Sequence, residues 1–274
     1  MIIGYTTGVF DMFHIDHLNF LRRAKEQCDY LIVGVSKDEH VEHDKHKTPI
    51  IPYENRCAIV EAIRYVDMVV PQDNIMRAWE KYKYNKLFVG YHRHGTPQWK
   101  AFEKQLDPYG VEIVYLQNIE GICSTISREK LRVSGVGDQI VGYTTGVYDM
   151  FHIGHLNIIR RAKEKCSYLI VGVSTDECVK GYKHHTPMVP YEQRSAIVAA
   201  IKYVDEVVPQ TTMDKTEYLK HRHFDVMFHG DEWKGTDLYN KYEMEFAKYG
   251  ARIEYLSHTD GISSSILREI LNTK

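Results

Sequence analysis

Residues 140–155 read Ile140-Val141-Gly142-Tyr143-Thr144-Thr145-Gly146-Val147-Tyr148-Asp149-Met150-Phe151-His152-Ile153-Gly154-His155, a β-branched run that breaks at a glycine and continues into an amphipathic stretch. Leu156, Ile159, Ala162 and Lys163 follow with the 3, 4 spacing that lays an apolar stripe against a sheet. Strand, tight connection and helix form the opening unit of a parallel α/β fold. The unit occurs twice. Residues 2–71 and 140–209 are one module at a spacing of 138, with 50 of 70 positions identical. In the first copy the line runs Thr6 to His17, with Asp16 where the second has Gly154. Two residues gained between Pro209 and His229 shift the register to 140, so Gly90 matches Gly230, Gly110 matches Gly250 and Gly121 matches Gly261.

In copy two the apolar, β-branched runs 140–144, 168–174, 206–208, 226–229 and 252–256 predict strands. Helices are predicted over 154–166, 191–203, 215–221, 238–249 and 264–271. Each copy is therefore read as a Rossmann-like α/β domain of about five parallel strands. The junction Val133-Ser134-Gly135-Val136-Gly137-Asp138-Gln139 reads as a short extended linker spanning at most roughly 25 Å. The expected domains are 1–132 and 139–274, packed side by side as an internal pseudo-dimer.

Lys+Arg (35) nearly balances Asp+Glu (37) in the 274 residues, which argues against nucleic acid or an anionic membrane as a partner. Any phosphate-binding charge must be local. Five cysteines, odd in number and never in a Cys-x-x-Cys, argue against a disulfide framework or a zinc ribbon. No signal segment and no apolar run near 18 residues is found, so a soluble cytoplasmic protein without membrane insertion is expected.

His152 and His155 stand three residues apart at the start of a predicted helix, on the face of its first turn, where free N–H groups gather positive potential. Gly154 leaves bare backbone between them. This set suits a nucleoside triphosphate; the plainer alternative is a pair of capping histidines. Ser264 and Ser265 open the last predicted helix behind Gly261, offering N–H groups and hydroxyls to phosphate, or an ordinary serine cap. Asp231 follows an apolar strand, at the carboxyl edge where such sheets bind nucleotides, and can accept from a cytosine amino group. Trp233 can stack on a base or simply pack. Lys180 and Lys183 lie in a stretch rich in turn formers, read as a mobile flap, and Arg194 at a helix start is read as a third phosphate cation.

The line from Thr144 to His155 resembles the first motif of the nucleotidyltransferase superfamily, particularly of its cytidylyltransferases. Tyr191-Glu192-Gln193-Arg194 and the stretch from Lys202 to Pro209 look like two further family segments. His229-Gly230-Asp231-Glu232-Trp233-Lys234-Gly235 is similar to the Gly-Asp-Asp-Trp segment of glycerol-3-phosphate cytidylyltransferases, and Thr259-Asp260-Gly261-Ile262-Ser263-Ser264-Ser265 to their Thr-Glu-Gly-Ile-Ser-Thr-Thr. The matches run in family order across nearly all of copy two.

The resemblance implies attack of a phosphate monoester on the α-phosphorus of CTP, with pyrophosphate leaving and Mg²⁺ bridging the triphosphate rather than being held by a protein site. It implies catalytic roles for His152, His155, Lys183 and Arg194. Nucleotide binding falls to Thr144, Thr145, Gly146, Tyr148, Gly154, Gly230, Asp231, Trp233, Gly261, Ile262, Ser263, Ser264 and Ser265, and acceptor binding to Lys180 and His258. The expected partners are CTP and a small phosphorylated alcohol, glycerol 3-phosphate first. An ATP-dependent adenylyltransferase and a nucleotide-binding regulator without turnover are the alternatives. The family carries an arginine just before the Thr-Glu-Gly-Ile-Ser segment, where this chain has His258 and, in copy one, Asn118.

Copy one departs further. Asp16 sets a carboxylate where triphosphate charge belongs, and Asp231-Glu232-Trp233-Lys234 becomes Tyr91-His92-Arg93-His94, while His14, His17, Lys45, Arg56, Ser124 and Thr125 persist. Copy one is thus expected to be degenerate, at most an anion pocket. Its His40, His43 and His46 beside Asp44 invite a metal reading, but copy two has Cys178, Gly181 and His184 there, and a structural zinc is not expected. Arg64-Tyr65-Val66-Asp67 and Lys202-Tyr203-Val204-Asp205 resemble the family's dimer-interface segment.

Overall fold

The computed structural model describes residues 1–45, 47–117, 140–259 and 261–272. The chain divides into two compact units, Met1–Gly121 and Ile122–Lys274. The expected linker, Ser124, Thr125 and Asn118 of copy one, His46 and Asp260 lie outside the described residues.

Unit one runs β1 (Ile3–Gly8), α1 (Ile15–Lys25), β2 (Tyr30–Val35), α2 (Asp38–Lys45), α3 (Tyr53–Ala62), β3 (Met68–Pro71), α4 (Ile75–Tyr82), β4 (Lys86–Gly90), α5 (Pro97–Leu106) and β5 (Glu112–Leu116). Unit two repeats it as β6 (Val141–Gly146), α6 (Ile153–Lys163), β7 (Tyr168–Ser174), α7 (Asp176–Lys183), α8 (Tyr191–Ala199), β8 (Glu206–Gln210), α9 (Lys215–His221), β9 (Val226–Gly230), α10 (Asp237–Ala247), β10 (Arg252–Leu256) and α11 (Ser264–Asn272). The sheets are wholly parallel, ordered β3-β2-β1-β4-β5 and β10-β9-β6-β7-β8. The order reverses direction beside the central strand, between β6 and β9, and the carboxyl ends at such a switch point form the binding crevice.

Parallel strands covered on both faces read as continuous apolar runs, and Leu169, Val171 and Val173 of β7 are fully buried. Tyr143, Ile170, Val208 and Met227 pack on one face beneath Leu219 of α9 and Tyr239, Tyr242 and Phe246 of α10. Asp205 ties the opposite ends together: its Oδ2 accepts from the Leu169 N–H at 2.7 Å and from Lys163 Nζ at 2.6 Å. Asp67 does the same with Leu31 and Lys25 in unit one. The acidic residue of the Tyr-Val-Asp segment therefore works inside its own unit.

One expectation needs correction. The stretch carrying Lys180 and Lys183 is not a loop but helix α7, capped by Thr175, whose side chain accepts from the Cys178 N–H. Its glycine and histidines hid a helix that buries only Val179. The His40 and His43 stretch is likewise helical, in α2.

Candidate active site

The turn from β6 to α6 holds two non-glycine residues in the left-handed region, Tyr148 (φ 56°) and Met150 (φ 48°), and Phe10 and Met12 repeat this in unit one. Side chains adopt that backbone only where surroundings enforce it. Here Asp149, between the two, does so: it is buried, and its carboxylate accepts from the backbone N–H groups of Met188 (3.0 Å) and Val189 (2.9 Å). The turn thus clamps the segment leading into α8 and delivers His152 to the helix start.

His152 is the N-cap of α6: its Nδ1 accepts from the Gly154 N–H at 3.1 Å, and His155 Nδ1 accepts reciprocally from the His152 N–H at 3.4 Å. Both histidines therefore cap, and capping does not exclude chemistry. An imidazole whose Nδ1 accepts carries its proton on Nε2 when neutral. Burial is the main cause holding His152 down to about 4, with His258 adding to it. His155 is pushed well below its ordinary value by burial, then by His152 and Lys183. The pair is neutral at pH 7 and presents two Nε2–H donors, with ring centroids 3.8 Å apart. Tyr148 backs His155 edge-on at 5.2 Å.

Helix α11 arrives over this pair. Ser264 donates to the Asp149 carbonyl at 2.8 Å and lies 3.4 Å from His152 Nε2, while the Ile266 N–H donates to Ser263 Oγ at 3.2 Å. Gly261 turns the chain into α11 at φ +83°, a conformation that favours glycine. Gly154 is small for a local reason: a Cβ there would lie 3.0 Å from the His152 ring and 3.9 Å from the Ile262 methyl. Unit one has Asp16 at that place, its Oδ2 3.6 Å from His14 Nδ1, and His14 is half exposed where His152 is buried. Copy one thus carries a carboxylate of its own at the start of α1.

The remaining expected residues divide. Gly230 leads from β9 into the 3-10 turn Asp231–Trp233, and Asp231 Oδ1 accepts from the His258 N–H at 3.2 Å, joining the ends of β9 and β10. Trp233 is partly exposed, edge-on to His229 and tilted against Tyr239. Thr144 is fully buried beside the Tyr148 hydroxyl, and Thr145 Oγ1 accepts from Lys215 Nζ at 2.9 Å. Lys183 is lowered by burial and by Arg268, and sits near enough to His155 to affect its charge. Lys180 is exposed on α7, and Ser265 is exposed at the start of α11. Arg194 is not a phosphate cation in this structure. It is 1 % exposed, its Nε donates to the Val189 carbonyl at 2.8 Å, Nη1 to the Val147 carbonyl, and Nη2 pairs with Asp176 at 2.5 Å. Arg56 repeats this with Ile51, Val9 and Asp38, so the arginine serves the turn in both units.

Three groups escaped the sequence. Arg268 of α11 pairs with Asp149 Oδ2 at 3.0 Å, bringing to the site a guanidinium that His258 does not supply. Asp149 itself orders the turn. Lys215, in a polar segment resembling any solvated helix start, is buried at the sheet edge.

Residues 5–130 and again 143–270 match the cytidylyltransferase-like family. The chain belongs to that family. A probable ethanolamine-phosphate cytidylyltransferase of Encephalitozoon cuniculi (strain GB-M1) is 28% identical over 92% of this chain and 89% of its own length. The ethanolamine-phosphate cytidylyltransferase of Mus musculus is 38% identical, covering 81% of this chain and 74% of its own. A glycerol-3-phosphate cytidylyltransferase of Staphylococcus aureus (strain NCTC 8325 / PS 47) is 36% identical over 132 residues, 48% of this chain and 94% of its own. The family thus includes relatives matched along most of this tandem chain and others about one module long.

Proposed function

We propose that the second unit transfers CMP from CTP to a small phosphorylated alcohol, releasing pyrophosphate. The observation that carries this is the neutral His152 and His155 pair, two Nε2–H donors set between the starts of α6 and α11. The acceptor's phosphate oxygen forms a bond to the α-phosphorus as the bond to the β-phosphate oxygen breaks. A phosphate monoester is largely dianionic at neutral pH, so no general base is required; alignment and stabilisation of charge do the work. His152 and His155 donate to the triphosphate, the first N–H groups of α11 take phosphate oxygens, and Lys183 and Arg268 supply positive charge.

Among the described residues no group of three His, Cys, Asp or Glu side chains is arranged to hold a metal ion, and both carboxylate oxygens of Asp149 are engaged. In this reading Mg²⁺ enters as part of the substrate, bound to the triphosphate. Asp231, at the crevice, accepts from the cytosine amino group, which favours CTP over UTP. Unit one lacks Gly154, Asp231 and Trp233 equivalents and does not turn over. Among the described residues no helix is long and apolar enough to cross a membrane, and the reaction needs none. Pyrophosphate release measured with CTP and with ATP, over a panel of phosphorylated alcohols, tests the assignment. Turnover with CTP is expected; turnover with ATP alone would establish an adenylyltransferase, and tight CTP binding without release a regulator.

A further inference from the structure

Lys215 is a costly residue that the fold does not require. Its side chain is buried (6 % exposed), and its Nζ is hydrogen-bonded to the Thr145 hydroxyl. No carboxylate lies within ion-pair distance among the described residues; the neighbouring Asp214 instead caps α9 through the Thr216 N–H and hydroxyl. A buried ammonium without an anion is strongly disfavoured. Its place at the first position of α9, the positive end of the helix, adds to the cost. Burial accordingly holds its proton affinity down, to about 8.

Beside it stands His229, whose Nδ1 is buried without a hydrogen-bond partner and whose imidazole is held neutral by burial first and by Lys215 second. In the register of 140 these two correspond to Ile75 and Val89; Val89 is buried in the apolar core of unit one and Ile75 packs against it, half-buried. The same fold is therefore built with aliphatic side chains at both places.

The position says which ligand they serve. Tyr143 and Met227 pack beneath α9 and α10, so Thr145 and His229, two residues on in each strand, face that same side. The His152 and His155 pair begins α6, whose buried Leu156, Ile159 and Ala162 take no part in that cluster. Thr144, which strand alternation turns to the opposite face from Thr145, neighbours Tyr148, the ring that backs His155. In-line transfer sets the acceptor opposite the departing pyrophosphate, and a polar cluster on the other face of β6 is suited to hold it.

We propose that Lys215, with His229, selects the acceptor: it takes a phosphorylated polyol, whose hydroxyls accept from the ammonium and bond to the unpaired imidazole nitrogen, and refuses alcohols carrying an ammonium head. A second cation there can neither accept from Lys215 nor escape its repulsion. This rests on the reaction proposed above and names its acceptor class, although long relatives of this chain carry ethanolamine phosphate in their names.

The test uses the full chain and two variants borrowed from unit one, Lys215→Ile and His229→Val, whose side chains the sister fold already accommodates. Initial rates with glycerol 3-phosphate and with ethanolamine phosphate are taken at saturating MgCTP, together with KM for CTP. The wild type is expected to favour glycerol 3-phosphate in kcat/KM by at least about a hundredfold, as when a site built for a hydroxyl meets an analogue lacking it. Lys215→Ile should shrink that ratio at least about tenfold with KM for CTP within about threefold, and His229→Val should shift it the same way. Equal or better use of ethanolamine phosphate by the wild type, or a ratio unmoved in Lys215→Ile, overturns the selector while leaving CMP transfer standing. Absence of CTP turnover with every acceptor overturns both.

Discussion

In the proposed reaction His152 and His155 each do two jobs, one per ring nitrogen. Nδ1 closes the start of α6 and Nε2 is left to donate, so an alanine at either place costs the cap as well as the chemistry. Loss of a side-chain cap is worth about 1 kcal/mol, a modest fall in melting temperature. Turnover in His152→Ala or His155→Ala should fall by at least about a hundredfold. His14→Ala and His17→Ala should leave it within about twofold, and equal losses from the two pairs would refute a single working site. Asp231→Asn turns an acceptor-only group into one that also donates, and should weaken CTP use by roughly 1 to 3 kcal/mol. An unchanged CTP-to-UTP preference would show that the base is read elsewhere. A pH dependence follows from His152. Its folded value is depressed to about 4, so its contribution is fully present above the unfolded value near 6.5 and is lost as pH falls towards 4. The window spans about 3 kcal/mol for a buried group, and thermal melts across it should be flatter for His152→Gln than for the wild type.

At the scale of elements the site is made where α6 and α11 begin, and each can be tested by itself. Gly154→Asp copies unit one, sets a Cβ against the His152 ring and places a carboxylate where the proposed reaction puts phosphate charge. It is expected to abolish CTP turnover by at least about a hundredfold while the unit still melts cooperatively, since unit one folds around Asp16. CTP titration of that variant with inactive acceptor separates lost binding from lost chemistry. The strands of unit two were legible because parallel β-strands buried on both faces give unbroken β-branched runs. Helix α7 was not: it buries Val179 alone, so there was no stripe to read, and only the Thr175 cap and its packing make it helical.

For the whole molecule, one complete constellation per chain predicts one CTP per full chain in calorimetry. Asp16→Gly should leave that stoichiometry unchanged, because Tyr91, His92 and Arg93 still occupy the turn where unit two has Asp231 and Trp233. Two equivalent CTP sites in the wild type would overturn the division of labour between the modules.

The duplication, the parallel α/β class, the two-histidine motif and the divergence of copy one were all determined by the sequence alone, because they are carried by local period, by spacing within one turn, or by direct comparison of two copies. Contacts between residues far apart in the chain were decided only by the tertiary structure. Arg194 looked like a phosphate ligand until the fold surrounded its guanidinium with the carbonyls of Val147 and Val189 and the carboxylate of Asp176. Nothing in the sequence singles out Lys215, and only the crossover from β8 to β9 carries it to Thr145, 70 positions earlier. Burial and partner are properties of the packed chain, and for a charged side chain they decide whether it meets water, a neighbour or a substrate.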